Sequence, residues 1–412
     1  MADLYWPGDE RAGVLMSDLA LLEAMSTVEE AWLEALVDAG LAPAEARVTV
    51  RGLVGESDSE FIARGAEAGG NPVIGLVALL RTRLPEEASR WLHRGLTSQD
   101  VLDTALVLTL RDVLDEVERQ LRRQAAVLVA LAEAHGETVM IGRTLTQHAV
   151  PLTFGLKAAT WLGGVLDAGA AVTTAHAALA VQAGGAAGTL AAAAELARLS
   201  GHPDPAAVAV GLVAGTAGRL VLQPRLPWHT NRGIVTAVGD ALVTATDAWG
   251  HLAADVTTLS RPEVGELAEG PSSSGAARGG SSTMPGKANP VLSVLVRRAA
   301  LAAPGLAATL HLAAATTVDE RPDGAWHVEW ATLRDLGRRT VVAASQTTEL
   351  LGDLHVHAGR MRATLEAAGP STEQQSMAAL VGGVPSGPYL GAAAVMVDAV
   401  LARARTFLEA DA

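Results

Sequence analysis

No cysteine occurs in the 412 residues, which excludes disulfides, thiolate metal sites and cysteine nucleophiles and fits a reducing cytoplasm. Aromatic residues are scarce at 3%, with 2 Tyr and 3 Phe against 8 Trp. The core must then be built from Ala, Leu and Val, a mixture that suits closely packed helices better than sheets. Positive charge is short as well. A formal net charge of −14 argues against nucleic acid as the main partner, because phosphates need Lys and Arg. For an anionic substrate the cations would have to be gathered locally. The opening MADLYWPGDE carries acids and no apolar run, so no signal peptide is expected. The alanine-rich stretches are interrupted by glycine and lack a Leu/Ile/Phe-rich run of about 18 residues, so no membrane span is expected.

What is present is a large supply of core. Hydrophobic residues make up 49% and charged residues 18%, enough for two or three domains in a chain of this length. Between 231 and 260 the apolar positions Val235, Val238, Leu242, Ala245, Trp249, Leu252, Val256 and Leu259 step by threes and fours. That stripe predicts a helix of about 36 Å. Leu106, Leu110, Val113, Val117 and Leu121 start a second stripe that continues to about 133. Residues 152–180 and 290–316 read the same way, with Pro304 expected to kink or split the latter. Strand signals are scarce. The expected fold is all-α, with a short-helix region at 1–95, a central long-helix bundle at 96–345 carrying a loop at 270–290, and a short C-terminal helical region at 346–412.

The least ordinary stretch is GGSSTMPGKANP, 279–290. A phosphate-binding P-loop is excluded: Gly280 and Gly286 have the wrong spacing, Pro285 disrupts the turn, and Ala288 follows Lys287 where Ser or Thr is needed. The preceding EGPSSSGAARGGSS has the composition of a tether. Lys287 and Asn289 beside a helix start offer an ammonium, an amide and free N–H groups to a carboxylate. A serine here can transfer a proton if its alkoxide is stabilised, and the glycines would let such a loop open and close.

Three further stretches carry polar groups between apolar runs. In HRGLTSQDVLDTA, 93–105, Thr97 and Asp100 form a capping-box pattern, and the hydroxyls of Thr97 and Ser98 at a helix start can also hold an anion. In GRTLTQHAVPLTFG, 142–155, Arg143, Thr144, Gln147 and His148 are crowded together. Arg143 suits either a bidentate carboxylate clamp or a salt bridge, and His148 either a structural or a catalytic role. In VDERPDGAWHVEW, 318–330, Arg321 and Glu329 accompany two tryptophans whose packing explains much of the pattern. His355 and His357 form a metal-like pair without a third ligand, and no metal or cofactor is expected.

Taken in order, these stretches resemble the fumarase/aspartase superfamily. GSSTMPGKANP is similar to its SSxMPxKxN signature loop. The other three stretches, with NPVIGL at 71–76, QAGGAAGT at 182–189 and AADVTTLSRPEVGELAEG at 253–270, fall where that family has its remaining characteristic segments. The resemblance implies three mostly helical domains, a cytoplasmic homotetramer on a twenty-helix core, and sites assembled from three subunits. It places His93, Thr97, Ser98, Arg143, Thr144, Gln147, Lys287, Asn289 and Arg321 around a polycarboxylate. It gives proton transfer to Ser281, with Ser282 as runner-up and His148 as an alternative.

Within the superfamily, GRTLTQHAVPLTFGLKAATW and ERPDGAWHVEW are most similar to the 3-carboxy-cis,cis-muconate cycloisomerase branch. Elimination enzymes of the superfamily usually carry Thr-His where this chain has Thr144-Leu145, and a Glu where it has Val294. The resemblance therefore implies lactonisation of carboxymuconate in aromatic degradation. A lyase releasing fumarate or a related acid from a succinyl-type compound is the alternative, and a non-catalytic structural homologue the third reading.

Overall fold

The computed structural model describes residues 3–271, 278–284 and 286–409. Residues 272–277 and Pro285, which belong to the loop expected at 270–290, lie outside the described residues. Helices dominate. In chain order they are α1 (Asp18–Asp38), α2 (Glu56–Gly69), α3 (Val73–Arg83), α4 (Glu86–Trp91), α5 (Ser98–Ala134), α6 (Phe154–Ala177), α7 (Ala191–Leu199) and α8 (Pro205–Leu220). They continue with α9 (Gly233–Leu259), α10 (Val291–Ala315), α11 (Gly324–Gly352), α12 (Ala358–Ala368), α13 (Thr372–Leu380) and α14 (Ala393–Glu409). Two small antiparallel pairs complete the fold: β1 (Val139–Thr144) with β2 (Gln147–Thr153), and β3 (Leu267–Glu269) with β4 (Leu354–Val356).

The chain divides into two compact units. Unit 1 comprises 1–116, 172–241 and 305–339; unit 2 comprises 117–171, 242–304 and 340–412. The divisions fall inside the five longest helices, α5, α6, α9, α10 and α11.

In unit 1, Ser17 caps α1 by accepting from Ala20 N, and Asp204 caps α8 by accepting from Ala207 N, ahead of Pro205 at the first helical position. Trp32 and Trp228 are buried at 1% and 2% exposure. Burying rings of this size supplies much of the apolar area that the short aromatic inventory would otherwise withhold.

In unit 2 one chain of core polar groups is satisfied internally. Trp249 Nε1 donates to Gln124 Oε1 at 2.7 Å, and Gln124 Nε2 donates to the Ala344 carbonyl at 3.0 Å. Helices α9 and α10 approach closely because Gly250 has no side chain: a Cβ there would lie 2.5 Å from that of Ala300. Of the kink or split expected at Pro304, the split does not occur: α10 runs unbroken from Val291 to Ala315. Ala299, Ala303, Ala307 and Leu310, on either side of the proline, are buried, and packing of this kind outweighs one lost backbone bond. Helix α10 is long and apolar enough to cross a membrane by length and composition alone, a test that core helices of soluble proteins also pass.

Candidate functional site

The candidate residues fall into two groups, one in each unit. In unit 1 the anchor is Asp100, in the first turn of α5 and buried. Its Oδ2 accepts from Thr97 N at 2.9 Å and Gly185 N at 2.9 Å. Its Oδ1 accepts from Gly184 N at 3.0 Å and His229 Nε2 at 2.8 Å. One carboxylate therefore caps α5 and fastens the glycine-rich turn of QAGGAAGT to that helix. The capping box is half formed, because the Thr97 hydroxyl is engaged elsewhere: Thr97 Oγ1 accepts from Arg321 Nη1 at 2.8 Å. Arg321 Nε reaches Gln99 Oε1 at 3.4 Å. Thr97 and Arg321, 224 positions apart in sequence, thus meet beside half-buried Ser98, a pairing suited to a carboxylate.

His93 lies in the loop between α4 and α5 with φ 64°, a left-handed conformation that costs energy in a residue other than glycine. Its neighbours pin it. Arg81 Nη2 donates to the Leu92 carbonyl at 2.9 Å, and Trp32 Nε1 donates to the Arg94 carbonyl at 2.7 Å. Its own Nδ1 lies 2.6 Å from Glu29 Oε1.

In unit 2 the β1–β2 hairpin turns at Leu145 and Thr146, both with positive φ (49° and 71°), the backbone that a two-residue hairpin turn demands. Leu145 is 95% exposed at this tip. Thr144, Gln147 and His148 are exposed around it. Arg143 is committed: its guanidinium makes a bidentate pair with the fully buried carboxylate of Glu266, at 2.9 and 2.7 Å. The clamp anticipated for a substrate holds one of the protein's own acids. A cleft of about 800 Å³ opens beside the hairpin, with Arg143, Thr146, His148, Lys157, Arg261 and Arg360 among its lining residues. Lys157 pairs with Asp255 at 3.1 Å, and Asp255 also accepts from Trp161 Nε1 at 2.8 Å.

The signature loop is pinched at its base. Asn289 donates to the Gly279 carbonyl from both its side-chain amide, at 2.7 Å, and its backbone N–H, at 3.0 Å. Gly279 has φ 69°, and a Cβ there would collide with the Asn289 backbone. Gly279→Ala is therefore expected to open the neck, measured as faster limited proteolysis between 279 and 289 with unchanged helical circular dichroism. Unchanged protection would show that this pinch does not hold the loop.

Within the loop, Ser281 Oγ accepts from Met284 N at 3.1 Å and Thr283 N at 3.3 Å. Two backbone donors aimed at one hydroxyl oxygen are the arrangement that stabilises negative charge on it. Lys287, one of two lysines in the chain, is exposed, as is Ser282. The helix start beside them differs from expectation. Leu292 N, Ser293 N and Ser293 Oγ all donate to the Glu269 carboxylate, at 3.1, 2.7 and 2.6 Å. The first-turn donors of α10 are capped from β3 rather than left for a ligand.

Sequence reasoning missed Glu29, Glu266 and Glu269. A signal existed for Glu29 alone, since it falls three and four positions from Trp32 and Met25 on the buried face of α1. The partners of Glu266 and Glu269 are 123 and 23 or 24 residues distant, and no local pattern encodes them.

Buried carboxylates thus occur in both units, and a loop in unit 2 holds a serine whose oxygen accepts from two backbone amides. A family model described as Lyase matches residues 56–305. The chain belongs to this lyase family, within the fumarase/aspartase superfamily. It is 42% identical over 372 residues to the nitrosuccinate lyase of Streptomyces davaonensis, covering 89% of this chain and 77% of that one. It is 38% identical over 357 residues to a 3-carboxy-cis,cis-muconate cycloisomerase of Pseudomonas aeruginosa, covering 85% and 74%. The solved 3-carboxy-cis,cis-muconate lactonizing enzyme of Pseudomonas putida superposes with a TM-score of 0.80 at 30% identity, covering 96% and 97%.

Proposed function

We propose that this enzyme is a cycloisomerase that closes 3-carboxy-cis,cis-muconate to 4-carboxymuconolactone in the breakdown of aromatic compounds. The observation that carries the reading is the hairpin tip. Leu145 projects there, 95% exposed, where the resemblance places the proton-relay histidine of elimination enzymes. Val294, 51% exposed on α10, occupies the place of that histidine's glutamate.

Lactonisation does without such a relay. It is an intramolecular conjugate addition: one substrate carboxylate, already ionised at neutral pH, forms a C–O bond to the activated double bond. The π electrons move to the carbon beside a second carboxylate, and one proton is delivered there. The site must orient the chain and stabilise the aci-carboxylate as it forms. In this reading, with the site assembled from different subunits as the resemblance implies, Thr97, Ser98, Arg321 and Lys287 hold carboxylates, while Ser281 delivers the proton and the amides of Thr283 and Met284 stabilise the oxygen it leaves behind. Arg143 and Asn289 act by holding the hairpin and the loop in place. His148 transfers no proton, so His148→Ala is expected to retain wild-type turnover; a large loss would reassign the step.

One observation favours a second reading. The 42% identical relative is named a nitrosuccinate lyase. Elimination is the reverse of conjugate addition, and nitrite, a weak base, can depart without a general acid, so the same serine would act as the base. We further infer a cytoplasmic homotetramer with sites shared between subunits. Val294, Leu301 and Leu312, exposed along α10, give such an assembly an apolar face to cover.

Incubation of the purified enzyme with 3-carboxy-cis,cis-muconate in D₂O tests the reading. The expected result is loss of diene absorbance and a lactone carrying one deuterium beside a carboxylate. Persistence of the diene at high enzyme concentration, with nitrite released from nitrosuccinate, would replace the first reading with the second.

A further inference from the structure

Glu29 is a fully buried carboxylate on α1. Its Oε1 lies 2.6 Å from His93 Nδ1, and its Oε2 has no hydrogen-bond partner among the described residues. A buried carboxylate so poorly solvated is tolerated when its one partner carries positive charge. His93 is 19% exposed and is held in a strained backbone conformation by the clasps of Arg81 and Trp32 on the flanking carbonyls. Since Nδ1 faces Glu29, Nε2 is the nitrogen left to face a ligand.

We propose that Glu29 is a positioning residue that keeps His93 an imidazolium, so that its Nε2–H donates a charge-assisted hydrogen bond to a substrate carboxylate. The strained loop sets the direction of the ring, and the buried carboxylate sets its charge. A neutral His93 with Nδ1–H toward Glu29 would present a bare Nε2 lone pair and repel the same carboxylate.

The surrounding groups agree. Burial lowers the pKa of His93, but the charge of Glu29 and its hydrogen bond, helped by Asp100 of α5, outweigh burial and the opposing charge of Arg81 of α3. The imidazole is left above its ordinary value of 6.5. Asp100 itself is shared with His229. With the folded pKa raised, the stabilisation from this pair is fully present below pH 6.5 and is lost as pH rises through the folded value.

The test uses the full-length enzyme and Glu29→Gln, which keeps the shape and an acceptor for Nδ1–H but removes the charge. The imidazole signal of His93, assigned by its absence in His93→Gln, is titrated by NMR without ligand. In the wild type it is expected to lose its proton at a higher pH than in Glu29→Gln. In turnover, a part that rests on the lactonising reading, Glu29→Gln is expected to raise KM by about 10- to 100-fold between pH 6.5 and the raised value at which wild-type His93 loses its proton, with kcat nearly unchanged. That deficit should shrink as pH falls below 6.5, the ordinary imidazole value, and Glu29→Asp should restore most of the affinity. Identical His93 titrations in wild type and Glu29→Gln would overturn the proposal, as would a loss confined to kcat. If carboxymuconate is not turned over at all, the functional reading fails while the ligand-free titration still decides the role of Glu29.

Discussion

Ser281→Ala is expected to lower the turnover of 3-carboxy-cis,cis-muconate by about 10²- to 10⁴-fold, the usual weight of a positioned proton-transfer group. The effect should fall on kcat, because the carboxylates of the substrate are held by other residues and a hydroxyl removed from the reacting carbon costs little ground-state binding. Thr283 N and Met284 N converge on Ser281 Oγ, and in the variant these amides have no oxyanion to stabilise. Exposed Ser282 receives no such pair of donors among the described residues, so Ser282→Ala is expected to remain near wild type. Steady-state kinetics on both variants checks this. A reversed order would shift the proton transfer one residue along the loop.

Arg232→Met is expected to destabilise the fold by about 3–5 kcal/mol, the cost of removing one partner from a buried ion pair. Arg232, in unit 1, donates to both Asp103 oxygens at 2.7 and 3.0 Å and to both Glu329 oxygens at 3.0 and 2.5 Å. All three side chains are no more than 1% exposed. Trp326 Nε1 adds a bond to Asp103 Oδ1 at 2.9 Å, but no second cation joins among these contacts. Burial already holds the Glu329 carboxyl above its ordinary value, against the pull of Arg232 and with Asp103 pushing the same way. Without the guanidinium the two acids face one another and bind protons more readily than in the unfolded chain. The deficit of the variant should therefore shrink as pH falls through the carboxylate range. Urea unfolding of both proteins at neutral and acidic pH measures it, and an unchanged midpoint at neutral pH would show that the network contributes nothing net.

Much of the helical fold was legible because it is local. Every residue of the Val235–Leu259 stripe is buried, and the helix expected at 290–316 is α10, one residue shorter at each end. Pro304 shows the limit of local reading, since the packing on either side of it, invisible in a single-sequence pattern, carries the helix through. The hairpin at 139–153 was missed as a strand pair because its pleat is interrupted by an irregularity between Ile141 and Arg143 and its turn lacks the usual Asn-Gly signal.

For the candidate site, residue types were legible and their partners were not. The positions of Thr97, Arg321, Arg143 and Asn289 stood out as polar groups among apolar runs. That Thr97 and Arg321 meet, that Arg143 is taken by Glu266, and that Asn289 closes a loop neck depend on contacts made only after folding. The exposed Leu145 is the opposite case: its side chain touches little, and its meaning lies in the histidine that the resemblance would place there.

Whether one enzyme preparation prefers addition or elimination tests this account most directly. Specificity constants for 3-carboxy-cis,cis-muconate and for nitrosuccinate, measured side by side, give the answer. The account predicts kcat/KM of about 10⁴ M⁻¹s⁻¹ or more for carboxymuconate, at least roughly a hundredfold above nitrosuccinate. A higher constant for nitrosuccinate, with nitrite and fumarate as products, would contradict it.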